Sequence, residues 1–456
     1  MLEKLFHLQE NKTDVRTEVI AGITTFMTMA YVLAVNPSIL AVTGMDSGAV
    51  FTATILASVL GSVCMALFAN YPYALAPGMG LNAFFAYTIV LGYGYPWQAA
   101  LAAVFVEGLI FIVLSFLNVR EEIFNSIPMN LKKSISVGIG LFIAFIGLQN
   151  SKIVLGNSAT MLALFSLEGL PGSSMTDAGI TVLLAMIGTI ITSILVINGV
   201  KGNILFGILI TWILGIVCQL TGFYIPNFEL GFYSLLPDFS GGFGIPSIAP
   251  IFAKLDFQAI PIIEFVVIVC AFLFVDMFDT LGTLIGVAAK ADMLDKDGKL
   301  PNVKGALMAD AVATTVGAVL GTSTTTTYVE SAAGVTEGGR TGLTAMVTAA
   351  LFALALFFSP IFLAIPSFAT APALIVVGFY MVNNIGQIDF ADFSEGIPAF
   401  ICILAMPFMY SISEGIAMGV ISYVFINVLS GKSKEKKISP IMYALLVFFL
   451  LKYTFL

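Results

Sequence analysis

Apolar and polar positions in this chain separate into whole segments rather than into the faces of single turns. Apolar runs recur at Val19–Val35, Ala49–Ala69, Ala99–Phe116, Leu131–Leu148, Ile180–Ile197, Leu205–Leu220, Ile260–Ala288, Leu343–Phe362, Phe368–Val382, Ile397–Met409 and Ile412–Leu429. About twenty such residues let an α-helix cross a hydrocarbon core of about 30 Å. The breaks between runs are mostly short and rich in Gly, Pro and Asn, so the pattern predicts an all-α polytopic membrane protein. One stretch disturbs it. "GTSTTTTYVESAAGVTEGG", Gly321–Gly339, puts a run of hydroxyl residues and two glutamates where a span is due.

Composition agrees with the pattern: 59% of residues are hydrophobic and only 10% charged. A soluble core could not cover that much apolar surface. The polar start, "MLEKLFHLQENKTDVRTE", lacks the apolar core of a signal peptide. It reads as a cytoplasmic segment, with Leu2, Leu5, Phe6 and Leu8 offering one face of an interfacial helix. Cys64, Cys218, Cys270 and Cys402 lie in apolar segments without CxxC spacing, which implies neither disulfide nor metal. The single histidine, His7, lies outside the spans, so no imidazole relay or metal site is available within the membrane.

Lysine and arginine set the orientation. Fourteen spans with the N-terminus inside place Lys4, Lys12, Arg16, Arg120, Lys132, Lys133, Lys201, Lys290, Lys296, Lys299, Lys304, Arg340, Lys432, Lys434, Lys436 and Lys437 on the inner face, most of the 19 basic residues. Lys152 and Lys254 stay outside and Lys452 sits near the C-terminal end. The last apolar stretch, 438–456, reads equally as a span or as an interfacial segment. Net charge is −8, and the basic residues form inner loops rather than a stripe, which gives no nucleic-acid surface.

Sliding the chain against itself aligns 51–78 with 307–334, bringing Ala53, Ala57, Gly61, Val63, Ala76 and Gly78 onto Ala309, Ala313, Gly317, Val319, Ala332 and Gly334. Internal repeats of this kind are common in secondary transporters. Seven spans per half, an odd number, require the second copy to be inverted. Both copies end in an interrupted helix. Pro72 and Pro77 break the first, and the β-branched Thr324–Val329 favours extended backbone in the second. Unwound backbone at membrane depth survives only where protein buries it or a cavity borders it. The hydroxyls of Thr322–Thr327 are suited to satisfying backbone groups freed there.

Carboxylates inside spans are expensive and are functional candidates by default. Asp276 and Asp279 in "FLFVDMFDTLGTLIG" stand i, i+3 on one helix face, with Thr283 a turn further. Glu330 opens the half-helix after the threonine run, where burial favours its neutral form and the helix dipole its charged form. Glu107 lacks polar neighbours in sequence and reads as structural. Glu337, beside Arg340, reads as a cap or ion pair at the inner face. Asn82 fits either role, and Phe26 and Met27 read more naturally as core. Acceptors, an amide, hydroxyls and aromatic walls, with no basic ring, suit a flat neutral ligand bearing N–H groups. An anion carrier would want a basic residue near the half-helices, where only Arg340 is close. Paired broken helices fit alternating access better than a channel. An enzyme is disfavoured, since no HExxH, no GxSxG in a span and no soluble catalytic domain is present.

Four motifs together, "AGITTFMTMAYVLAVNP", "APGMGLNAFFAY", "VDMFDTLGTLIG" and "TTTYVESAAGVTEGGRTG", resemble the AzgA-like adenine/guanine/hypoxanthine permeases of the nucleobase–ascorbate transporter superfamily. The resemblance covers Arg16 to about Leu429. It implies a seven-plus-seven inverted repeat in which discontinuous spans 3 and 10 carry short antiparallel β-strands that meet at the substrate. Residues 1–16 would be cytoplasmic, 17–120 and 259–362 a core domain, 121–222 and 363–430 a gate domain, 223–258 an extracellular connection and 431–456 a basic linker with a C-terminal apolar segment. It further implies purine uptake by proton symport through elevator-like movement in the cell membrane. The driving force is the proton-motive force rather than a cofactor, and a homodimer through the gate domain is compatible with it. Glu330 matches the family's base-binding glutamate. Asp276 and Asp279 match the acidic pair, one for substrate and one for the proton, while Asn82 and Gly80 match the span-3 motif. Val329 and Ser331, beside Glu330, join the expected substrate set with Thr283, Phe26 and Met27. Thr283 stands where uracil-permease relatives carry histidine, so their proton path does not transfer. Other nucleobases, an anion and sodium coupling remain the alternatives.

Overall fold

A computed structural model describes residues 2–117, 126–157, 160–165, 174–227, 231–239, 242–290, 293, 300–436 and 438–455. Arg120, Lys296, Lys299 and Lys437 of the inner-face charge set lie outside these. Among the described residues ten helical segments are long and apolar enough to cross a membrane, and a helix of 29 residues, Ile262–Lys290, carries the acidic pair. The chain is therefore a multi-pass helical membrane protein.

Local signals set the helix ends. Asp14 caps the Val15–Met29 helix by accepting the Thr17 N–H at 2.9 Å, and Asp46 caps Ser47–Phe68 through Ala49 at 2.7 Å. The first apolar run is not one uninterrupted helix. It breaks at Ala30–Tyr31 and resumes as Val32–Ala41, which contains Pro37. Gly321, at φ +99°, ends the Val303–Leu320 helix in a left-handed conformation that a side chain would strain. An extended segment follows.

Among the described residues four short strands occur: β1 Leu75–Pro77, β2 Val154–Asn157, β3 Met161–Leu164 and β4 Thr325–Thr327. β2 and β3 form a hairpin, and β1 pairs antiparallel with β4 in the register Leu75↔Thr327, Ala76↔Thr326, Pro77↔Thr325. β1 leads into the Met79–Ala83 helix, which continues as a π-helical turn over Phe84–Gly92, and β4 leads into the half-helix Ser331–Thr336. Two interrupted spans thus meet through buried backbone, as their sequences predict.

Small residues let the surrounding helices approach closely, the usual device where lipid gives no hydrophobic drive between helices. A Cβ on Gly140 would stand 2.7 Å from the Gly378 carbonyl oxygen, and one on Gly108 would stand 2.8 Å from the Thr315 nitrogen. The N-terminal segment docks with Phe6 and Leu8, which pack with Ala66, Leu343 and Ala345, while Leu2 and Leu5 stay exposed. The C-terminal stretch is a helix, Pro440–Phe455. Its Phe448 and Phe449 lie against Phe274 of the Ile262–Lys290 helix, at ring-centre distances of 6.2 and 6.0 Å.

Candidate functional site

The site is built where β1 and β4 cross. Residues 322–327 are buried, and most of their polar atoms reach side chains of other elements. Thr322 Oγ1 accepts from Asn36 Nδ2 at 3.2 Å, Ser323 donates to Asn82 Oδ1, and Thr324 donates to Glu107 Oε2 at 2.8 Å. The threonines therefore do not serve the unwound backbone as expected. That task falls to Thr314, whose hydroxyl donates to the Thr325 carbonyl and accepts from the Thr325 N–H, at 3.0 and 3.2 Å. Glu107, apolar in its sequence surroundings, has a polar partner in space.

Asp276 and Asp279 serve different neighbours although they share a helix face. Asp276 is fully buried. The Thr280 hydroxyl lies 3.1 Å from Asp276 Oδ1, 3.0 Å from Asp310 Oδ1 and 2.8 Å from Thr326 Oγ1. Three oxygen–oxygen contacts converge there, but each threonine hydroxyl brings one proton and an ionised carboxylate brings none. All three are full two-centre hydrogen bonds only when one of the two aspartates is a carboxylic acid; with both ionised the single Thr280 proton is shared between them. Asp279, half-buried, reaches Thr326 from the other side and is close enough to Glu330 for their charges to interact. A Cβ on Gly78 would fall 2.6 Å from Thr326 Cγ2, so the absent side chain lets the chain after β1 lie against β4, with Asp279 Oδ2 in ordinary contact at 3.5 Å.

Glu330 sits at the N-terminal boundary of the half-helix after β4. The Tyr31 hydroxyl donates to its Oε1 at 2.7 Å, and Thr28 Oγ1 lies 3.4 Å from its main-chain oxygen. Tyr31 occupies the break between the Val15–Met29 and Val32–Ala41 helices, which brings its side chain to the half-helix after β4. Val329, 40% exposed, marks the open side, while Tyr328 is buried with its hydroxyl donating to the Pro77 carbonyl.

The other expected site residues face away from this opening or support it. Ser331 Oγ accepts the Ala74 N–H at 3.0 Å and so fixes the entry to β1. Asn82 is buried against Ser323, and a Cβ on Gly80 would meet Ile139 at 3.0 Å and Ile412 at 3.3 Å. Phe26 packs edge-on to Phe352 at 5.2 Å, Met27 lies against Gly202, and Thr283 is half-buried a turn beyond Asp279. Glu337 does not pair with Arg340. It forms an ion pair with Lys201 at 2.6 Å, because the Arg340 guanidinium turns back onto the carbonyls of Val335 and Gly339 at 2.7 and 2.8 Å.

Three residues escaped the sequence reading. Asp310 is an intramembrane carboxylate in "LMADAVATT", and the rule that picked out Asp276 applies to it equally. Tyr31 carries no signal beyond its place at a helix break. Glu18 is completely buried and accepts from the Arg340 N–H at 2.8 Å, the Thr344 N–H at 3.1 Å and the Thr344 hydroxyl at 2.6 Å, capping the Gly342–Ala355 helix from another span.

Comparison with known proteins bears on this geometry. The family model described as "Permease family" matches residues 16–418. The guanine/hypoxanthine permease PbuG of Bacillus subtilis is 44% identical over 100% of both chains. The adenine permease AdeP of Escherichia coli is 39% identical over 100% of this chain and 96% of its own. Among solved structures, the transmembrane domain of a cyanobacterium bicarbonate transporter, BicA, shares the fold with a TM-score of 0.61 at 16% identity, covering 89% of this chain and 97% of that one.

Proposed function

The chain belongs to this permease family, among the nucleobase–ascorbate transporters, and on that premise we propose that it imports purine nucleobases by proton symport with elevator-type alternating access. It is a permease and not an enzyme. The observation that carries the substrate reading is the pair of acceptors at the crossed strands. Glu330 is oriented by Tyr31 on the open side beside Val329, and Asp279 lies near enough for their charges to interact. Two carboxylates with no basic residue between them suit the N–H edges of a neutral base. Relatives named for guanine, hypoxanthine and adenine, matched over essentially their whole lengths, narrow the base to a purine.

Proton coupling rests on the hydrogen count at Thr280. Asp276 and Asp310 share one hydroxyl whose single proton can bond only one of them fully, which supports a proton residing on the pair. Thr326 links that pair to Asp279 and so to the substrate carboxylates. On this reading Glu330 and Asp279 contact the base and the Asp276–Asp310 pair carries the proton. Ser331, Asn82 and Gly80 hold the half-helices, and Thr283, Phe26 and Met27 lie in the surrounding shell. The fourteen spans form two inverted repeats of seven, with the N-terminus cytoplasmic. The core (17–120 and 259–362) moves against the gate (121–222 and 363–430), through which two copies would associate.

The test is uptake of radiolabelled hypoxanthine, guanine, adenine, xanthine and uracil in cells lacking their own permeases, with and without a protonophore. Purine uptake that collapses with the proton gradient is expected. Uracil uptake without purine uptake refutes the substrate, and sodium dependence without proton dependence refutes the coupling.

A further inference from the structure

We propose that Tyr31 is a specificity-determining residue that sets how many N–H groups of a base Glu330 can accept; this rests on the purine reading above. A free carboxylate presents two oxygens in one plane and takes two adjacent donors at once, the geometry that makes paired donors bind carboxylates tightly. Glu330 is not free in that sense. The Tyr31 hydroxyl donates to Oε1 at 2.7 Å, taking one of the two lone-pair positions of that oxygen, and Tyr31 is only 1% exposed, so its buried hydroxyl is held there. The half-helix that carries Glu330 is fixed from behind by the Ser331–Ala74 hydrogen bond, which stops the carboxylate from sliding away from Tyr31.

Oε2 keeps its full acceptor capacity for the base, while Oε1 has one position already taken. Purines differ in what they offer it. Hypoxanthine presents a single N1–H on its six-membered ring edge, next to a C2–H. Guanine presents N1–H and a 2-amino N–H side by side, a pair that matches both oxygens of an unencumbered carboxylate. Adenine presents its 6-amino group beside a bare N1. With Oε1 already accepting from Tyr31, the 2-amino group of guanine meets a weakened acceptor on Glu330 and gains little over hypoxanthine. The cost of desolvating that N–H offsets the weakened bond.

The experiment measures competition by guanine and hypoxanthine against radiolabelled hypoxanthine, in uptake and in binding to detergent-solubilised protein, for wild type and Tyr31→Phe. Wild type is expected to bind the two bases within about threefold, which is less than a single hydrogen bond to a charged group supplies. Tyr31→Phe frees Oε1 and is expected to shift the guanine-to-hypoxanthine affinity ratio toward guanine by about tenfold, the factor that one such bond represents. Because both bases are read on the same protein, a general loss of folded carrier cancels from the ratio. An unchanged ratio in Tyr31→Phe, or a shift toward hypoxanthine, overturns the proposal. The wild-type comparison decides it independently should the variant not reach the membrane. A guanine preference of tenfold or more in wild type overturns it as well. Wild type that binds no purine refutes the transport reading itself and is seen before any variant is made.

Discussion

Thr280→Val tests whether the buried hydroxyl organises a proton. The substitution keeps the branched shape and removes only the group that joins Asp276, Asp310 and Thr326, at 3.1, 3.0 and 2.8 Å. Hydrogen bonds to charged groups in soluble proteins contribute about 1.5–3 kcal/mol each. Between membrane helices the measured average is nearer 0.6 kcal/mol, because the unfolded reference in the bilayer also finds partners. The smaller figure governs here, since all four residues are fully or nearly fully buried within the helical bundle. Three contacts then give a stability loss of roughly 2 kcal/mol, which most folded carriers survive.

The functional loss is larger and of a different kind. One proton moving with each base across a gradient of one pH unit supports about tenfold accumulation, the equivalent of 1.36 kcal/mol. In proteoliposomes, wild type is expected to approach that ratio. Thr280→Val is expected to fall toward unity while still exchanging labelled for unlabelled hypoxanthine at equal pH, because Glu330 and Asp279 are untouched. Retention of tenfold accumulation refutes the shared proton. A parallel loss of exchange and accumulation refutes it too, since that pattern reports only damaged protein.

Three further outcomes follow from the same structure. Glu18→Ala removes the acceptor for two main-chain N–H groups and a hydroxyl at the start of Gly342–Ala355. A lost cap with donors left buried costs about 2–3 kcal/mol, visible as a lower melting temperature in detergent that Glu18→Gln largely restores. Gly140→Val forces a side chain into the Gly378 carbonyl, 2.7 Å from the required Cβ position. Overpacking there costs about 1–3 kcal/mol or more and should cut the yield of monodisperse protein, whereas a normal yield would show that the two helices can part. At the start of the Phe393–Phe408 helix, the Lys436 ammonium (2.6 Å) and then the Ser394 hydroxyl hold the Asp392 carboxyl well below the usual carboxylate range. A depressed folded value stabilises the clasp above the unfolded value of about 3.9 and is lost as pH falls through the folded one. Proteolysis of the 431–455 segment should therefore be unchanged from pH 8 to 5 in wild type and accelerated at every such pH in Lys436→Met.

The bundle and the two interrupted spans were legible because each rests on local pattern: run length, Pro72 and Pro77, and β-branched threonines; the paired short strands followed only from the family resemblance. The candidate site was legible only where one residue announced itself. Glu330, Asp276 and Asp279 stand out as carboxylates in apolar surroundings, and Asp310 carried the same mark. Who meets whom was not legible. The Tyr31–Glu330 and Glu18–Thr344 hydrogen bonds join residues about 300 positions apart, and no periodicity encodes such a pairing. Strand register was equally hidden. The self-alignment sets Ala76 beside Ala332, whereas antiparallel pairing across the crossing brings Ala76 to Thr326. Glu337 ends its half-helix and forms an ion pair, as its place beside Arg340 suggested, but the partner is Lys201, about 136 positions away. Main-chain carbonyls take the nearby guanidinium instead.

The hydrogen bonds of residues 322–327 bear on how the protein would move. Their side-chain and main-chain partners are Asn36, Asn82, Glu107, Thr280 and Thr314, and every one falls within 17–120 or 259–362. Valine has similar strand propensity but could make none of the side-chain bonds, which accounts for the hydroxyls of Thr322, Ser323, Thr324 and Thr326, while those of Thr325 and Thr327 are buried without a hydrogen-bond partner among the described residues. The half-helix after β1 instead meets the Met129–Asn150 and Ile412–Leu429 helices through Gly80, Ile139 and Ile412, an apolar contact without directional bonds. A body knitted internally by hydrogen bonds and bordered there by apolar packing is suited to slide as a unit, which supports the proposed division into core and gate. Sliding would still have to break a few polar contacts across that border. Tyr87 bonds Asn150 at 3.2 Å and Thr88 bonds the Tyr410 carbonyl at 3.1 Å, while Lys201 pairs with Glu337 at 2.6 Å. With Lys201 57% exposed, that ion pair is worth only about 0–1 kcal/mol. The Tyr87 and Thr88 bonds are more buried, so on this reading they, rather than the ion pair, hold the core in the position seen here.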